Sequence, residues 1–368
     1  MHIPFCKQAC TYCNFHFTTS LTHKHDIVKA LAKEAEMETA YLLGEKINTI
    51  YFGGGTPSIF KISDLEFLIS KLYTHYDLAA DAEITLEANP DDLDQEKLSA
   101  WKSVGINRLS IGVQSFFDEE LKWMNRAHNA QQAINNLELA RKKFDNITID
   151  LIYGSPLQTD NMWKENVNKA IEFEIPHLSC YALTVEEKTP LYKSIATQKT
   201  PDVDNEKQAR HFLMLMAWAR EKGYEHYEVS NFARPGFRSR HNSSYWKGDN
   251  YLGLGPSAHS YNKVARRWNI ANNGIYIKSI LEKNPQRETE TLTKAQKLNE
   301  YIMISLRTLE GIDLNKLEND FGFGERKIIE EKIRKFIASN LVRANDFTLQ
   351  LTDEGMLRAD GIASELFS

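Results

Sequence analysis

The sequence predicts an α/β protein whose larger part is a full or partial barrel of parallel strands. Three observations carry this. From residue 1 to about 190, short runs rich in Ile, Val, Leu, Thr and Tyr alternate with amphipathic helical runs, the rhythm of parallel strand–helix architecture. Glycine or polar residues stand at the C-terminal end of nearly every such strand: residues 53–56, Glu87, Gln114, Asp150 (slightly inside its strand) and 181–182. An open sheet gathers its site at one switch point, whereas a barrel brings many strand ends around one axis. From 201 the rhythm breaks, so a different and smaller unit follows.

Taken in order, "HIPF" (2–5) reads as the first strand, with a cysteine loop directly after it. The next strands are "INTIYFGGG" (47–55), "AEITLEANP" (82–90), "NRLSIGVQS" (107–115), "NITIDLIYG" (146–154) and "PHLSCYALT" (176–184). Helical runs are expected at 24–43, 61–75, 93–104, 118–144 and 161–173. In 63–72, Leu65, Leu68, Ile69 and Leu72 share one face, and Asp64 and Glu66 sit at the end where the helix dipole favours acid. A long amphipathic helix at 203–223 ends at Gly223, a plausible C-cap. An aromatic, irregular stretch follows, and "KNPQRETET" (283–291) reads as a polar linker. Helices at 293–308, 313–320 and 325–339 then precede a hairpin at 341–355, the outline of a winged-helix-like module. The divisions expected are 1–200, 201–285 and 286–368.

The 368 residues suffice for one large domain and a smaller one. With 45 Lys and Arg against 50 Asp and Glu, the net charge is −5, so no general basic field recruits nucleic acid. No apolar run approaches the roughly 20 residues of a membrane span. Residues 1–20 lack the apolar core and cleavage site of a secretory signal. A cytoplasmic location is expected, where disulfides are rare and clustered thiols serve metal or redox chemistry.

Three of the four cysteines, Cys6, Cys10 and Cys13, lie in one C-x3-C-x2-C loop. Three thiolates can hold three irons of a [4Fe–4S] cube and leave the fourth open. The rival is zinc, because His16 would complete a Cys3His set. Cys180, mid-strand, reads as a buried small hydrophobe. "GGGTP" (53–57) lets backbone approach a ligand closely, or is simply a tight strand-to-helix turn; it has no Lys and is no P-loop. Glu87 in "EANP", Gln114 in "GVQS", Arg126 in "NRAH" and Asp150 in "DLIYG" are ordinary hydrogen-bonding residues one by one. At one end of a barrel they jointly offer carboxylates for a ribose or ammonium and a guanidinium for a carboxylate.

In that order, these motifs resemble the radical S-adenosylmethionine (SAM) superfamily, and specifically the oxygen-independent coproporphyrinogen III oxidase-like family, over essentially the whole chain. The resemblance implies a partial (β/α)6 barrel with a small, mainly helical, winged-helix-like C-terminal domain. It implies that Cys6, Cys10 and Cys13 ligate three irons of a [4Fe–4S] cluster and that SAM chelates the fourth. Matching the family's motifs places SAM contacts at Gly54, Gly55, Thr56, Glu87, Gln114, Arg126, Asp150 and Ala182, with Tyr12 beside the cluster. The family usually carries a Tyr just before "HIPF", where this chain has Met1.

The decarboxylating oxidases carry a fourth Cys two places after the third; here that place is Phe15. They also carry a longer N-terminal extension. Both departures point to the haem chaperone branch, which resembles the oxidase but lacks its activity. "HNSSYW" (241–246) matches a haem-linked motif of that branch: His241 would supply an axial nitrogen, and Tyr245 and Trp246 an aromatic wall. The alternative is a His that bonds its own loop. The expected function is binding of haem and its transfer to acceptor proteins, with an electron donor for the cluster; a homodimer is compatible with this. The oxidase, which would convert two propionates to vinyls by radical hydrogen abstraction, is the alternative.

Overall fold

The computed structural model describes residues 1–368. Fourteen strands are β1 His2–Ile3, β2 Ile47–Gly54, β3 Leu78–Ala88, β4 Arg108–Gln114, β5 Ile147–Tyr153, β6 His177–Ala182, β7 Glu225–Glu228, β8 Asn231–Ala233, β9 His259–Tyr261, β10 Ala265–Asn269, β11 Arg287–Thr291, β12 Ile312–Asp313, β13 Val342–Ala344 and β14 Thr348–Leu351. One eight-stranded sheet runs β1-β2-β3-β4-β5-β6-β8-β7. The first six are parallel, and β8 and β7 add antiparallel to β6. Its outer strands β1 and β7 do not pair with each other, so the barrel is a partial one.

The predicted strand–helix rhythm is therefore the observed one, and its cause is burial. Strands covered on both faces read as near-continuous apolar runs. Phe52, Leu86, Leu109, Ile111, Ile149, Leu151 and Leu178 are fully buried, and the helices close over them through Leu65, Leu68, Trp101, Leu137 and Trp163.

Four expectations need correction. The run 118–144 is two helices, Asp118–Trp123 and Ala130–Arg141. Asn125 takes a left-handed φ of 56°, which ends the first; Asn129 caps the second, accepting from the Gln132 N–H while the Gln132 side chain accepts from its own. The first helix stops at Met37, before turns at 38–44. The expected linker 283–291 contains β11, paired antiparallel with β10. Its own residues, Arg-Glu-Thr-Glu-Thr, are polar on both faces, so no apolar alternation announced it. "HNSSYW" lies in a helix, Arg240–Lys247, capped by Ser239 and ended by Gly248 at φ 69°.

The C-terminal module packs helices Lys294–Leu306, Leu314–Phe321 and Phe323–Ala338 with a small sheet ordered β12-β14-β13. This is the expected winged-helix-like outline, with a last helix Ala359–Leu366 that the sequence reading missed. No helix is long and apolar enough to cross a membrane.

Candidate functional site

The cysteine loop leaves β1 and is tied down on three sides. The Cys6 N–H donates to the Thr18 carbonyl at 3.0 Å, the Thr11 N–H to that of Met124 at 3.1 Å, and the Leu191 N–H to that of Thr11 at 2.8 Å. Gly55 and Thr56 bind the β1 side: their N–H groups donate to Ile3 and Phe5 carbonyls at 2.8 and 2.6 Å. A Cβ on Gly55 would meet those same oxygens at 2.7 and 2.5 Å, so the glycine is what lets the loop's root lie against the end of β2.

Cys6, Cys10 and Cys13 are half-buried free thiols. Burial pushes the Cys6 thiol up to about 11 and raises that of Cys13, so metal must supply the charge that removes their protons. No three His, Cys, Asp or Glu side chains close on one point, as a single-ion site requires. His16 is engaged elsewhere, its Nε2 paired with Asn273 Oδ1 at 2.8 Å. Three half-buried thiols on one anchored loop, with His16 turned to Asn273, fit a cube whose irons take one thiolate each.

Arg126 sits over this loop. It donates to Cys10 Sγ at 3.2 Å, Asn89 Oδ1 at 2.6 Å and the Gly112 carbonyl at 2.7 Å. The break between the two helices at 118–141 brings it there. Gln114 ends β4 with φ 67° at a register shift, and its amide lies over bare Gly112 beside Arg126. Tyr12 packs below the loop with Met124, Ile152, Leu183 and Leu191.

On the other wall Glu87 accepts from the Gly54 N–H at 3.0 Å and from the Tyr51 hydroxyl at 2.7 Å. Burial raises its carboxyl above the ordinary range. Asp150 faces the lumen near Ser110, and burial, helped by Glu87, holds it up at about 7. Ala182 ends β6 opposite Tyr153. With Asp150 midway along β5, the other matched positions lie at or beyond the C-terminal ends of β1 to β4 and β6. Asn89 and Tyr51 are members that sequence reasoning did not single out. Asn89 was inside the quoted "EANP", and Tyr51 carries the same inward period-two phase as Thr49.

The haem-linked motif lies elsewhere. Glu83, midway along β3, accepts the His241 N–H at 2.9 Å and the Arg240 N–H at 3.2 Å, holding the helix start against the barrel away from the C-terminal strand ends. His241 Nδ1 pairs with Thr49 Oγ1 at 2.8 Å and Nε2 with the Tyr245 hydroxyl at 3.1 Å. Burial holds its imidazole down at about 3, hence neutral. His241 and Trp246 line a cavity of about 880 Å³ between β2, this helix and the C-terminal module, while Tyr245 packs edge-on between His241 and Tyr251.

A partial parallel barrel whose first strand runs into a three-thiol loop, with glycine, carboxylate and guanidinium at the following strand ends, defines a protein of the radical SAM class. The Radical SAM superfamily matches residues 1–170 and the HemN C-terminal domain residues 292–358. A protein named "Heme chaperone HemW" from Lactococcus lactis is 35% identical over 356 residues, 96% of this chain and 93% of its own. Its namesake from Bacillus subtilis is 32% identical over 361 residues, 97% and 95%. The solved coproporphyrinogen III oxidase (HemN) from Escherichia coli superposes with a TM-score of 0.85 at 23% identity, over 100% of this chain and 89% of that one, a likeness of fold. This chain belongs to the HemW family. Its radical SAM domain implies a [4Fe–4S] cluster and SAM.

Proposed function

We propose that this protein is a haem chaperone that holds one [4Fe–4S] cluster and SAM at one end of its barrel and carries haem at the other for transfer to acceptor proteins. The observation that carries the reading is the cavity of about 880 Å³ walled by His241 and Trp246. Its size falls in the roughly 300–1,000 Å³ range of sites for sizeable organic ligands. Leu42, Leu72, Tyr76 and Leu254 give it apolar walls, and Lys46, Lys247 and Lys263 offer cations for two propionates. His241, held neutral, has the lone pair that iron needs.

At the other end Cys6, Cys10 and Cys13 hold the cluster. Gly54, Gly55, Thr56, Glu87, Gln114, Arg126, Asp150 and Ala182 surround the SAM seat, with Tyr12 packed below the loop. When bound, the cluster supplies the single electron that can cleave SAM at its sulfonium. Arg126 orients the loop through its hydrogen bond to Cys10; Glu87 and Asp150 accept donors from the bound nucleoside and amino-acid groups. In this division residues 1–200 hold cluster and SAM, 201–285 carry the haem motif, and 286–368 close the cavity. The work is cytoplasmic, and it needs an electron donor as well as a haem acceptor. Phe15, where the oxidases carry their fourth cysteine, is 67% exposed at the loop surface and favours the chaperone over the oxidase reading.

Titrating haem into the anaerobically reconstituted protein tests this. A Soret band should form, and His241→Ala should weaken haem binding at least tenfold while iron content stays unchanged. No Soret band with the wild type sinks the proposal.

A further inference from the structure

The two sites lie at opposite ends of the barrel, and one side chain reaches toward both. Tyr51, mid-strand in β2, stacks its ring on His241 with centroids 4.8 Å apart and planes 17° from parallel. Its hydroxyl donates to Glu87 Oε1 at 2.7 Å, and the other Glu87 oxygen takes the Gly54 N–H. Tyr51 lines the large cavity and also a polar chamber of about 60 Å³ in the barrel lumen, whose walls include Glu87, Asp150 and Asn242. From Thr49 to Gly54 the strand advances about 16 Å at roughly 3.3 Å per residue.

His241 is fully committed in this arrangement. One ring nitrogen pairs with Thr49 and the other with Tyr245, and the face rests on Tyr51. Iron needs a free nitrogen lone pair, so ligation breaks one of these bonds and with it one of the contacts that hold the ring in its stack. A ligand that clamps Glu87 clamps the Tyr51 hydroxyl, and with it the surface on which His241 rests.

We propose that Tyr51 is a positioning residue that couples the two ends: SAM seated against Glu87 keeps His241 stacked and self-bonded, and so loosens the hold on haem. The proposal rests on the reading above that SAM and haem occupy these two sites. A ligand shifts such an equilibrium only by its differential affinity for the two arrangements, and the coupling is reciprocal. Couplings of this kind span roughly 5–150-fold.

Two titrations of the reconstituted protein with its cluster oxidised, so that SAM stays uncleaved, test it. Haem should bind at least fivefold more weakly with saturating SAM than without it. In Tyr51→Phe, which keeps the ring and removes the hydroxyl, that gap should close to under twofold. The second titration contains no haem. His241→Ala should weaken SAM binding at least threefold, although His241 lies at the far end, and should have no further effect in the Tyr51→Phe background. A wild-type gap under twofold, tighter haem with SAM, or SAM affinity indifferent to His241→Ala overturns the coupling. Absence of any Soret band would count against the haem reading alone, since the haem-free titration still decides the coupling.

Discussion

Asp150 shows at the scale of one residue how burial becomes a measurable property. Its folded carboxyl keeps its proton to about pH 7, whereas the unfolded side chain releases it near the model-peptide value of 3.8. The unfolded state therefore binds fewer protons between pH 4 and 7, and the SAM-free protein loses stability as pH rises through that window. The loss is on the order of 4 kcal/mol by pH 8. Asp150→Asn carries no such charge, so its melting temperature should fall less than that of the wild type between pH 5 and pH 8; equal falls in the two would refute the assignment. That Glu87, Gln114 and Arg126 come to one side of the barrel was legible in the sequence, because each stands at or after a strand end and parallel strands bring their ends together; Asp150, inside β5, faces the lumen instead. Tyr51 was not legible, because its role depends on which side chain meets it across the barrel.

Among the elements, the turn from β2 into the glycine run decides whether the cysteine loop is seated. Gly55 has no unusual φ, so a replacement there meets only the neighbouring chain. Gly55→Ala would press on the Ile3 and Phe5 carbonyls and shift β1, at a cost of about 2 kcal/mol. Gly223→Ala is the matched control. That glycine has φ 78° but open space around its Cβ position, so it pays only the backbone cost of about 1 kcal/mol. Iron per chain after anaerobic reconstitution should fall in Gly55→Ala and hold in Gly223→Ala. Long apolar strands and Leu-rich helix faces were legible because burial stamps a period on them. The break at 124–129 was not, because what stops the first helix is a left-handed Asn125, and what makes the break useful is Arg126 reaching Cys10. Polar β11 was invisible for lack of any apolar phase.

For the whole molecule, the C-terminal module is a wall of the cavity proposed to take haem. Helix Lys294–Leu306 contributes Tyr301 and Ile304 to it, and Arg307 lies over the Trp246 ring at 5.9 Å. Ile304→Trp should fill part of that cavity and reduce haem affinity at least tenfold, with iron content and SAM affinity unchanged; unaltered haem binding would place haem elsewhere. By itself the sequence determined the parallel barrel, the three-thiol loop, the strand ends that face it and the helical module, because periodicity, spacing and strand direction are local properties of a chain. Only the tertiary structure decided that the helix bearing His241 closes the barrel's opposite end, with Tyr51 reaching from it to Glu87. That placement comes from contacts between residues more than thirty apart in the chain, Thr49 with His241, Glu83 with His241 and Tyr51 with Glu87, and no local pattern encodes them.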